Sequence, residues 1–149
     1  MRITLESDYA LRIISALARK SDIIDAKSLS DEVSVTLRFT LKILHKLVSR
    51  DFVKSYKGVN GGYKLNAEPK DITLKDIIEL IDGPVKISKC LECEHECSRN
   101  PCKLECKMHV AFDAINEKLI ENLGSITVRM LHDQNVSHAD IADIINLKN

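Results

Sequence analysis

The residues best equipped for chemistry are five cysteines, Cys90, Cys93, Cys97, Cys102 and Cys106, all confined to positions 90–106 of a 149-residue chain. Thiolates are soft ligands suited to zinc or to iron–sulfur clusters, and His95 and His109 lie among or beside them. Cys90-x2-Cys93 followed by more thiols is compatible with a closed tetrahedral zinc site as well as with a cluster. A metal-free thiol switch is a third possibility, because Lys89, Arg99, Lys103 and Lys107 surround the thiols with positive charge. Inert buried cysteines fit poorly, since Glu92, Glu94, Glu96 and Ser98 make the segment polar. The N-terminus has no apolar signal-peptide run, so a cytoplasmic location is expected, where an odd, clustered set of thiols is not a disulfide framework.

A second signal is hidden by the average. The formal charge is zero, with 22 basic and 22 acidic side chains. Residues 1–66 nevertheless hold 12 basic and 7 acidic residues, and residues 36–64 hold seven bases against the single acid Asp51. Those bases are Arg38, Lys42, Lys46, Arg50, Lys54, Lys57 and Lys64. Lys and Arg supply the phosphate contacts that dominate affinity for DNA. Thr36, Arg38, Thr40 and Lys42 are expected on the outward side of one helix near its N-terminus, the part of a recognition helix that reaches base edges. Arg38 is the first candidate for a base contact, because a guanidinium can donate two parallel bonds to guanine. Lys46 lies further along the same helix, and Lys57, Gly58, Asn60 and Gly61 form a turn able to contact phosphates or the minor groove.

The elements that must position these groups follow from periodicity. The chain is 44% hydrophobic and 30% charged, enough for one small domain with an appendage. A helix from about Glu6 to Lys20 carries Ala10, Leu11, Ile13, Ile14, Leu17 and Ala18 at helical spacing, with Ser7 available as its cap. A short helix after Asp25 and another after Thr36, with Leu37, Leu41, Leu44, Leu47 and Val48 as its inward stripe, make a helix-turn-helix. Phe52–Tyr56 and Tyr63–Leu65 read as strands, and the Asn60-Gly61 step between them signals a tight hairpin turn with positive φ. Thr73–Ile81 is a further helix ended at Asp82-Gly83-Pro84. From Pro101 a long helix is expected to reach Leu123 and stop at Gly124, placing Cys102, Cys106 and His109 on one face. Its stripe of Met108, Phe112, Ile115, Leu119 and Leu123 exceeds what one small subunit can cover, which predicts a homodimer. Ser137 caps a last amphipathic segment.

These residues resemble the IscR/NsrR-like (Rrf-type) winged-helix transcription regulators, which include iron–sulfur-assembly, nitric-oxide and cysteine-metabolism repressors. The resemblance runs through Met1-Arg2-Ile3-Thr4 to Asp8-Tyr9-Ala10-Leu11-Arg12, the wing Lys57-Gly58-Val59-Asn60-Gly61-Gly62-Tyr63, Leu74–Gly83, and Cys106-Lys107-Met108-His109 with Ser125-Ile126-Thr127. It implies a homodimer with crossed long helices and a cluster held by three cysteines and a fourth ligand. That ligand would be His109, or Asp8 contributed by the other subunit. The family usually places five residues between successive cysteine ligands, a spacing this chain lacks, so Cys106 matches while Cys97 or Cys102, and Cys90 or Cys93, remain alternatives for the other two.

The sequence thus predicts a mainly α chain with a small β-wing: a winged helix-turn-helix at 1–83, a cysteine-rich loop at 84–101, and a dimerisation helix with C-terminal segment at 102–149. The expected function is operator binding on double-stranded DNA by a repressor that senses iron–sulfur status, nitric oxide or redox state through an iron–sulfur cluster. Zinc, or a cluster-free thiol switch in a regulator or interaction protein, is the alternative. No paired nucleophile and base, phosphate loop or dinucleotide fingerprint occurs, so an enzyme is not expected. No run of about 18 apolar residues occurs either, so no membrane partner is expected.

Overall fold

Ala10, Ile13, Ile14 and Leu17 recur three and four residues apart, so one helix face carries all of them. In a computed structural model that describes residues 3–92, 97 and 105–145, this face belongs to α1 (Leu5–Ala18) and all four side chains are buried. The cap is Thr4 rather than Ser7: the Thr4 hydroxyl accepts from the Ser7 N–H at 3.3 Å, and Ser7 is buried inside the helix. Asp25 caps α2 (Ala26–Val33) through bonds from the Lys27 and Ser28 N–H groups. The chain then turns at Ser34, in the left-handed region at φ 55°, and enters α3 (Leu37–Ser49).

The inward face of α3 differs from the expected one. Thr40, Ile43, Leu44 and Leu47 are buried, whereas Leu37 and Leu41 are 39% and 42% exposed. Leu44 and Leu47 fix the direction of the buried arc, and at 100° per residue Thr40 falls inside it while Leu37 and Leu41 fall on its flank. Thr40 is therefore not an outward residue.

Two strands, β1 (Val53–Tyr56) and β2 (Gly62–Leu65), pair antiparallel with Val53 opposite Leu65 and Tyr56 opposite Gly62. The connection is the five-residue loop 57–61, and the positive φ expected at the Asn60-Gly61 step falls at neither residue. Gly58 takes the positive φ, 105°, and the Gly61 N–H donates to the Gly58 carbonyl at 3.0 Å. Gly61 serves close approach instead, since a Cβ there would lie 2.4 Å from the Tyr56 carbonyl oxygen.

Helix α4 (Leu74–Asp82) opens with a capping box in which Thr73 and Asp76 satisfy each other's backbone N–H. Its end is tied to the start of α1, because Asp82 accepts from the Thr4 hydroxyl at 2.6 Å and from the Thr4 N–H at 3.2 Å. Partial burial raises the Asp82 carboxyl, but the bonds from Thr4, together with Ser7 and the charge of Lys46, outweigh this and hold it below the ordinary carboxylate range.

The long helix α5 (Lys107–Ser125) begins later than expected. Cys106 is its extended N-cap, so Cys106 precedes the helix that carries His109; Pro101 and Cys102 lie outside the described residues. The helix passes through Gly124 and stops where Ile126 turns extended. There the chain returns to the winged unit: Leu74 N–H donates to the Ile126 carbonyl at 2.9 Å and Val128 N–H to the Ile72 carbonyl at 2.8 Å. Val128, which opens α6 (Val128–His132), is fully buried with the core of α1, α2 and α3. Helix α7 (His138–Ile144), capped by Ser137, buries no residue. Among the described residues no helix is long and apolar enough to cross a membrane.

Removing the α4 cap by Thr73→Ala should lower unfolding free energy by about 1 kcal/mol, read as a lower urea midpoint; an unchanged midpoint would deny the capping box a role. A group with a depressed folded pKa stabilises above its ordinary value and loses that contribution as pH falls through the folded one. Asp82→Asn should therefore be destabilising at neutral pH, with the gap to wild type closing in acid. A gap that stays constant into strong acid would contradict this origin.

Candidate nucleic-acid interface and cysteine loop

Between α2 and α3 the three residues 34–36 form the turn of a helix-turn-helix, anchored by buried Val35 and by the Val35 N–H donating to the Ser30 carbonyl. With Thr40, Ile43, Leu44 and Leu47 buried, the opposite arc of α3 carries Arg38, Lys42, His45 and Ser49, all exposed. His45 was missed by the sequence reading, although it lies seven residues from Arg38 and three from Lys42. Thr36 caps α3 without a side-chain bond to its amides, and the first turn has no acid. The positive end of the helix dipole is thus left facing solvent beside Arg38, an arrangement suited to an anion.

The wing is fixed to this helix by short connections. Asp51, at φ 59°, has its carbonyl bonded by the Asn66 side-chain amide at 2.9 Å, and the Phe52 N–H donates to the Leu47 carbonyl. A two-bond bridge joins Tyr63 to Ile24 just before α2. Gly62 makes that bridge possible, since a Cβ there would meet the Ile24 carbonyl oxygen at 2.4 Å. Lys57, Gly58 and Asn60 are exposed in the loop, and Val59 is completely so.

Not all the positive charge of this surface is free. Lys42 and Lys46 each lie 2.7 Å from a different carboxylate oxygen of Glu6, in the first turn of α1. The bond from Lys42, then that from Lys46, hold the Glu6 carboxyl below its ordinary range. Arg38 and Lys57 take part in none of the ion pairs seen among the described residues.

Asp8, expected to serve a partner subunit, is half-buried and paired with Arg12 at 2.7 Å within its own helix. The Arg12 guanidinium sits 5.7 Å from the Tyr9 ring centre, and Tyr9 meets Phe39 of α3 edge-on at 6.2 Å.

The cysteine loop leaves α4 through buried Val85 and is pinned by one side chain of α5. Asn116 donates to the Val85 carbonyl at 3.1 Å and accepts from the Ile87 N–H at 3.0 Å. It is the single residue that α5 buries. Asn116 is in phase with Phe112, Leu119 and Leu123, and a polar residue on an apolar stripe was the available signal. Cys90 lies with its sulfur 3.2 Å from the Ser88 hydroxyl, and Cys90, Cys97 and Cys106 are half-buried. Cys93 and Cys102 fall outside the described residues. Among the described residues no three cysteine, histidine or carboxylate side chains converge as a metal site. One turn beyond Cys106, however, His109 has a buried Nδ1 with no hydrogen-bond partner among them.

The family model for Rrf2, described as an iron-dependent transcriptional regulator, matches residues 3–134. The Bacillus subtilis transcriptional regulator CymR is 32% identical, over 85% of this chain and 92% of its own length. The NsrR regulator of the same organism is 25% identical over 99% of both chains. The solved structure of B. subtilis CymR, titled as that organism's global cysteine regulator, superposes with a TM-score of 0.70 at 28% identity, covering 88% of this chain and 95% of the other. The chain therefore belongs to the Rrf2 family of helix-turn-helix transcription regulators, and its work is regulation rather than catalysis.

Proposed function

We propose that this regulator binds operator DNA as a homodimer and that an iron–sulfur cluster on the cysteine loop controls its affinity. The observation that carries the DNA half of this reading is the exposed arc of α3, where Arg38, Lys42 and His45 stand opposite the buried face and beside the wing. In this reading the N-terminal half of α3 enters the major groove with Arg38 on a base edge, and Lys57 and the wing loop lie on phosphate or in the minor groove. Thr36 contributes at the helix start. Buried Thr40 does not.

The dimer half is supported by α5, where Met108 and Ile115 are 59% and 57% exposed in the single chain. An apolar stripe of this kind is suited to a second copy of the same helix.

The sensing half rests on the donor set at the start of α5. Cys106 and the unpartnered buried Nδ1 of His109 are one turn apart, and an orphaned imidazole nitrogen is a costly feature that a metal would satisfy. With Cys106, two further thiols from Cys90, Cys93, Cys97 and Cys102 would complete the protein's share. The fourth ligand is His109, or the partner subunit's Asp8 after release from Arg12. Such a cluster supplies a ligation state that iron supply, nitric oxide or oxidants can change. Ligation and DNA affinity are then reciprocally linked, whichever signal is sensed. Asn116 bonds the loop to α5, and the Asp82–Thr4 bonds link the end of α4, just before the loop, to the start of α1.

Anaerobic purification tests this reading directly. Brown protein with iron and acid-labile sulfide is expected; colourless protein with stoichiometric zinc would overturn the cluster and favour a structural site. Asp8→Ala should shorten cluster lifetime with little loss of stability, because its exposed pair with Arg12 contributes little to the fold; an unchanged lifetime would leave His109 as the fourth ligand. In duplex-binding titrations Arg38→Ala should weaken binding by about 1–3 kcal/mol and relax preference at one base pair, whereas Lys57→Ala should weaken all sequences alike. Equal losses on every duplex for Arg38→Ala would remove it from base reading.

A further inference from the structure

Lys42 and Lys46 are one helical turn apart on α3, so their ammonium groups can grip a single anion from the same side. In this structure the anion is internal. Lys42 Nζ is 2.7 Å from one oxygen of Glu6 and Lys46 Nζ is 2.7 Å from the other, with the Glu6 side chain only 21% exposed. Glu6 is held there from two directions. It lies in the first turn of α1, where the helix dipole favours a carboxylate, and α1 is tied by Thr4 to Asp82, whose own charge also reaches Lys46.

A carboxylate that places one oxygen on each of two lysines makes the contacts a backbone phosphate would make. We propose that Glu6 limits the phosphate-contact affinity of this surface by acting through Lys42 and Lys46: it occupies them as an internal stand-in for phosphate and so withholds two contacts from the DNA backbone. Non-specific binding consists almost wholly of phosphate contacts, so withholding two of them suppresses it, while base reading by Arg38 on the outer arc of the helix is untouched. Glu6 is a positioning residue in this sense, and it need not touch DNA. The inference rests on the DNA-binding reading above and adds to it a device that sets how much of the local positive charge is available.

Each additional phosphate contact steepens the fall of log affinity with log salt by about 0.9. The test is fluorescence anisotropy with a duplex of random sequence across about 50–200 mM salt, on the full chain. Glu6→Gln, which keeps the side chain's shape, should bind more tightly at the lowest salt. Its affinity should then fall about tenfold more than wild type's across that range, as two added contacts require. In a Lys42→Gln, Lys46→Gln background the same Glu6→Gln change should have no effect on affinity or slope, an outcome that a merely structural role for Glu6 would not produce. A wild-type protein that binds, with Glu6→Gln equal to it or weaker, overturns this proposal alone. Absence of binding by both proteins overturns it together with the DNA-binding reading, whereas binding by Glu6→Gln alone supports it in its strongest form.

Discussion

The winged unit depends on the burial of one face of α1. Ala10, Ile13, Ile14 and Leu17 present a continuous apolar strip, and α2, α3, α4 and α6 all pack against that helix. Fully burying a side chain the size of Ile13, Ile14 or Leu17 contributes about 1.5–3 kcal/mol relative to exposure, so the strip fixes the relative positions of its neighbours more firmly than any surface ion pair. The orientation of α3 is one result. With Leu44 and Leu47 buried in the core, Arg38 and Lys42 are turned to solvent, and the first turn of α1 is brought alongside the lysines of α3. Hydrophobic packing therefore decides which charges meet, and electrostatics acts only within the geometry it leaves.

The periodic part of this arrangement was legible in the sequence. The strip on α1, the helix-turn-helix spacing and the helix before the cysteine loop follow from apolar residues recurring at helical intervals, and the two strands of the wing from the glycine-rich turn between them. Part of what was not legible depended on contacts between distant segments. Glu6 and Lys42 are 36 residues apart, so a count of charge within residues 36–64 treated as free two lysines that are already paired. Thr40 was expected on the outward side of α3, yet the arc defined by Leu44 and Leu47 buries it. The Asn60-Gly61 step suggested positive φ at those two residues, but Gly58 carries the positive φ and Gly61 is needed for lack of a side chain.

The cysteine segment divides in the same way. Its composition announced ligand chemistry, but spacing alone did not distinguish cluster from zinc, because both use the same thiolates. Nor did it reveal Asn116. That residue is a side-chain amide on an otherwise apolar stripe, and it satisfies two backbone groups of the loop at once. Leaving those groups buried and unpaired would cost more than the bonds themselves contribute, which explains a polar side chain at the most buried position of α5.

The return of the chain after α5 completes the winged unit. Backbone bonds from residues 126 and 128 are made to residues 72–74, and Val128 lies in the same core as α1. The winged unit is therefore discontinuous, assembled from two stretches of chain with the cysteine loop and α5 inserted between them. No single cut releases it whole, and the inserted segment is anchored in it at both ends, like the handle of a bucket.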